Sequence, residues 1–119
     1  YRVGRPYWFR GTGIWEIPIQ VTRTGRLPFI GTALTVAGPL GARLLARGVL
    51  GEPFVNLELH AIDALDQNDG LGDLAKHQRD LRIPWSRKLL AIDAAIGVLR
   101  DKGYRCVRLD ELAKAAAAA

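Results

Sequence analysis

One histidine and two carboxylates stand at the end of the run Phe54-Val55-Asn56-Leu57-Glu58-Leu59-His60-Ala61-Ile62-Asp63. An imidazole titrates close to neutrality, so it can give or take a proton under ordinary conditions, and a carboxylate beside it can fix its orientation. His60 is therefore the candidate catalytic residue. Asp63, three residues on, suits two roles equally: it can orient the imidazole or bind a substrate, or it can cap the backbone of the loop it sits in. The only other histidine, His77, is flanked by Lys76 and Arg79 and reads as a surface residue. Glu16 is the single acid of the first fifty residues, and pairing with a nearby arginine is its simplest role. Cys106 is the lone cysteine, which excludes an intramolecular disulfide and a thiolate metal cluster; lying in an apolar run, it reads as a small buried side chain.

The elements around His60 must place it. Pro53 opens an apolar run, Phe54 to Leu59, with the length and composition of a buried strand, and His60 would then stand at its C-terminal lip, where α/β folds gather their chemistry. Upstream, Ile14 to Thr22 alternates Ile17, Ile19 and Val21 as a strand does, with Pro18 marking an edge, a bulge or a strand end. Thr24-Gly25-Arg26 is a turn signal, and Leu27 to Val36 is strand-like or an ordered loop. Leu40, Leu44, Leu45 and Val49 recur at helical spacing from Pro39 to about Gly48 or Gly51. Downstream, Asp63, Asp66, Asn68, Asp69 and Gly70 form a polar loop whose spacing lacks the twelfth-position glutamate of a calcium loop. A short helix is expected over Asp73–Arg79. The clearest helix runs from Pro84 to a stop at Gly103, with Leu89, Ile92, Ile96 and Leu99 on one face. Tyr104 to Leu109 reads as a closing strand, and Asp110 starts a last helix. This order of strands and helices predicts an α/β fold with parallel strands and outer helices.

Composition narrows the function. The 119 residues suit one domain or part of one, and the absence of methionine, the start at Tyr1 and the terminal run Ala115–Ala119 read as a piece of a longer protein. Residues 1–114 are expected to be one partial domain and 115–119 a tail. The net charge of +5 is concentrated in the first half, where Arg2, Arg5, Arg10, Arg23, Arg26, Arg43 and Arg47 face only Glu16. These arginines form no stripe with interleaved aromatics, which disfavours nucleic acid as a partner. The longest uncharged run, Leu27–Ala42, falls short of the roughly 20 apolar residues of a transmembrane helix. Residues 1–13 read as a loop that Tyr7, Trp8 and Phe9 pin to the core in preference to stacking on a sugar.

Asn56–Asp63, the later long helix, and the closing run Lys102-Gly103-Tyr104-Arg105-Cys106-Val107-Arg108-Leu109-Asp110-Glu111-Leu112 together resemble the C-terminal part of the polysaccharide deacetylase family, the NodB-homology domain. Trp15-Glu16-Ile17-Pro18 is similar to the same family. The resemblance implies the C-terminal portion of a deformed (β/α) barrel, in which a divalent metal, usually zinc, activates water against the N-acetyl group of a sugar. The family's base aspartate and metal ligands come from two motifs absent here: the chain has no Asp-Asp pair and no His-x-x-x-His. The resemblance thus puts the metal on residues outside this chain, which alone would be inactive. Leu59-His60 matches the end of the family's last motif, which implies that His60 is the general acid protonating the departing amine. Leu59, Asp63 and Trp15 are the candidate substrate contacts. Glu58 stands where the family more often has an apolar residue. The implied partner is an N-acetylated saccharide or glycolipid. The alternative is a non-catalytic carbohydrate-binding or interaction domain on the same scaffold.

Overall fold

A computed structural model describes the backbone of residues 7–9 and 14–117, and the burial of residues 16–115. Two short strands, β1 (Tyr7–Phe9) and β2 (Ile14–Glu16), pair antiparallel with Trp8 opposite Trp15. Three α-helices follow: α1 (Gly31–Gly48), α2 (Trp85–Asp101) and α3 (Leu109–Ala117). Four single-turn helical segments lie between α1 and α2.

This architecture corrects the expected α/β barrel portion with parallel strands. Among the described residues the chain is mainly helical, and its one ladder is the antiparallel β1–β2 pair. A strand needs a partner to satisfy its amides and carbonyls. Phe54–Leu59 has one such contact, a single parallel bridge between Glu58 and Ile30, and is otherwise extended chain whose Val55 and Leu57 pack on the core. The expected closing strand, Tyr104–Leu109, is likewise unladdered, and Cys106 within it is exposed instead of buried. The N-terminal stretch read as a loop contains β1; residues 1–6 and 10–13, and the end of the alanine run, lie outside the described residues.

α1 is longer than the spacing predicts, because the ambiguous segment before Gly38 is helical too. At Gly38 the backbone turns to φ 69°, a conformation that glycine adopts without steric cost, and Pro39 restarts the helix at its favoured first position. Leu34, Ala42 and Ala46 of α1 are buried, as are Ala91 and Ala95 of α2. Small alanines on both partners let the two helices approach closely, while Phe29, Leu34 and Val49 supply the larger apolar bodies of the core. Each of those three contributes about 1.5–3 kcal/mol relative to full exposure.

The buried face of α2 differs from the expected stripe. Lys88, Ala91 and Ala95 point inward, Val98 and Leu99 pack beside them, and Leu89 is exposed. Hydrophobicity alone favours the leucine, but the close crossing with α1 selects the alanines. α2 stops where the sequence places its stop. Gly103, at φ 83°, donates its N–H to Arg100 O at 2.9 Å, and Tyr104 donates its own to Leu99 O at 3.1 Å. Tyr104 then ties back to the loop after α1 by donating its hydroxyl to Glu52 O at 2.6 Å.

Candidate functional site

The chain between Glu58 and Asp66 is held by two elements, α1 and α2. At the N-terminus of α1, Gly31 donates its N–H to Glu58 O at 2.8 Å. A Cβ at Gly31 would collide with the Asp63 carboxylate and with Leu59, so glycine is what permits this approach. At the next residue, Thr32 Oγ1 donates to Asp63 Oδ1 at 3.0 Å. From α2, the fully buried Lys88 donates through Nζ to Ile62 O and to Leu65 O, each at 2.7 Å. The first of those carbonyls lies within the tight helical turn Ala61–Ala64 that carries Asp63, and the second lies just past it.

Within this frame the three candidate residues come together. The imidazole of His60 is 58% exposed, with Nε2 at 3.3 Å from Glu58 Oε1 and Nδ1 at 3.9 Å from Asp63 Oδ2. The same Asp63 Oδ2 accepts the backbone N–H of His60 at 2.8 Å. Asp63 therefore combines two of its expected roles, since it caps the turn and lies on the Nδ1 side of the ring. At 1% side-chain exposure it is closed to a substrate arriving from solvent. Glu58 is partly exposed, whereas the buried Asp63 carboxylate accepts two hydrogen bonds. One ring nitrogen thus lies near a buried carboxylate and the other near a partly exposed one, at 3.9 and 3.3 Å.

The remaining aspartates of the loop serve the backbone. Asp66 accepts from Asn68 N at 2.7 Å and, across the loop, from Trp85 N at 2.8 Å. The Trp85 amide, then that of Asn68, hold its carboxyl below the usual carboxylate range, and the nearby Lys88 charge acts in the same direction. Asp69 accepts the N–H of Asp66 at 2.8 Å. Leu59 is exposed beside His60, in keeping with a surface that can meet a ligand. Trp15 lies on β2 opposite Trp8, and its side-chain surroundings fall outside the described residues. His77 is exposed at the end of a separate helical turn, away from any role in this cluster.

Among the described residues, no group of three or more histidines, cysteines, aspartates or glutamates is arranged to hold a metal ion. The divalent metal implied by the resemblance therefore has no ligand set in this part of the chain, and no step is assigned through it. Thr32 and Lys88 are site residues that the sequence reading did not single out. Lys88 left one signal: it stands three and seven residues before Ala91 and Ala95, so it shares their inward face. No family model, curated protein or solved structure matches the chain.

Proposed function

We propose that this chain supplies the proton-transferring histidine of an amidohydrolase that removes the acetyl group from an N-acetylated amino sugar, free or carried on a glycolipid. The observation that carries the proposal is the exposed imidazole of His60, set between the buried Asp63 and the partly exposed Glu58. Amide hydrolysis stalls at departure of the amine, an anion too basic to leave unprotonated. Once water has added to the carbonyl, the C–N bond of the tetrahedral intermediate breaks as the imidazolium gives its Nε2 proton to the nitrogen. The products are acetate and the amino sugar, and the imidazole regains its proton from solvent.

In this reading the Asp63 carboxylate, 3.9 Å from Nδ1, favours the imidazolium by its charge, while Glu58 occupies the Nε2 side until a substrate displaces it. The deacetylase resemblance supports the choice of an acetamido sugar, and exposed Leu59 offers an apolar wall for the acetyl methyl group.

The test is His60→Gln in the natural protein that carries this sequence, assayed by acetate release from N-acetylglucosamine oligosaccharides. Turnover should fall by about 10²–10⁴-fold, the usual worth of a positioned general acid, with KM little changed. Unchanged turnover would refute the role.

A further inference from the structure

We infer that the outer face of α1 docks onto an anionic lipid bilayer, lying in the plane of its interface. The observations are independent of His60. α1 is apolar on two sides: Leu34, Ala42 and Ala46 are buried in the core it shares with α2, yet Leu40 and Leu44, four residues apart after the Gly38 kink, are exposed, as is Val36 before it. Leu40 is 75% and Leu44 65% exposed. Exposed Leu27 extends this face onto the preceding loop, and between loop and helix runs a groove of about 370 Å³ lined by Leu27, Pro28, Ala33, Ala37, Leu44 and Leu45. A second apolar face on a helix that already packs its first against the core marks a contact surface.

Charge selects the occupant. From Ile17 to Gly51 the sequence contains no aspartate or glutamate, while Arg26, Arg43 and Arg47 are exposed. Arg43 and Arg47 each follow an exposed leucine by three residues, which sets their guanidinium groups along the border of the apolar stripe. Arg26 stands next to Leu27. A second copy of the chain on this face would bring two sets of arginines together, which opposes self-association. An apolar stripe bordered by arginines instead suits a surface that is apolar within and anionic at its rim. In a bilayer, leucines enter the acyl boundary and arginines meet the phosphates. No helix among the described residues is long and apolar enough to cross a membrane, so the contact is interfacial.

The test is co-sedimentation of the 119-residue chain with vesicles. The chain should bind vesicles of equal parts phosphatidylcholine and phosphatidylglycerol, bind phosphatidylcholine alone far more weakly, and be released by raised salt. Arg43→Gln with Arg47→Gln should lower partitioning roughly 25-fold, at about fivefold per arginine. Leu40→Asp with Leu44→Asp should lower it by about tenfold or more. These four side chains are exposed, so circular dichroism of both variants should match the parent chain. Absence of binding to the anionic vesicles, or binding that the leucine pair does not alter, would overturn the inference. So would a dimer that the leucine pair dissociates, since that would make the face a contact between copies.

Discussion

At the scale of single residues, Asp63 has two jobs in one carboxylate. It accepts the His60 N–H and the Thr32 hydroxyl while standing on the Nδ1 side of the His60 ring. Removing it strands two part-buried donors beside the space it vacates, and an unmet hydrogen bond sheltered from water costs more than an exposed one. Asp63→Ala should therefore destabilise the chain by about 2–4 kcal/mol, seen as a lower urea midpoint. An unchanged midpoint would mean that the turn is held without it. The sequence already grouped His60, Glu58 and Asp63 by spacing, because all three lie within six residues of one another. Thr32 was out of reach, since its partner is thirty-one positions away and only the fold brings them together.

At the scale of elements, the helices were more legible than the strands. α2 and its glycine stop follow from local signals, namely a helical period, a proline at the start and a residue that takes positive φ at the end. Phe54–Leu59 and Tyr104–Leu109 carry strand-like composition, but a strand is completed by its neighbour, and neither run has a ladder here. The kinked first half of α1 was hidden because its apolar residues satisfy helix and strand periods equally. The loop after His60 depends on Asp66, which fastens the start of α2 through Trp85 N. Its folded-state pKa is lower than its unfolded one, so its contribution to stability is present above the unfolded value and lost as pH falls through the folded value. Asp66→Asn should unfold at lower urea at neutral pH and show a shallower loss of stability on the acid side. Parallel acid titrations of the two proteins would contradict this account of the loop.

At the scale of the whole molecule, two helices crossing through alanines leave much apolar surface outside, and one such surface is bordered by arginines on α1. Vesicle binding tests that face, while the proposed deacetylation turns on His60. The central claim is that His60 protonates a departing amine, and the leaving group exposes it directly. A nitrophenolate departs without a proton, whereas a sugar amine does not. Hydrolysis rates should therefore be measured for the natural protein and its His60→Gln variant on an N-acetylated sugar and on 4-nitrophenyl acetate. The account predicts a loss of about 10²–10⁴-fold on the sugar amide, with the aryl ester nearly unaffected. An equal loss on both substrates would contradict it.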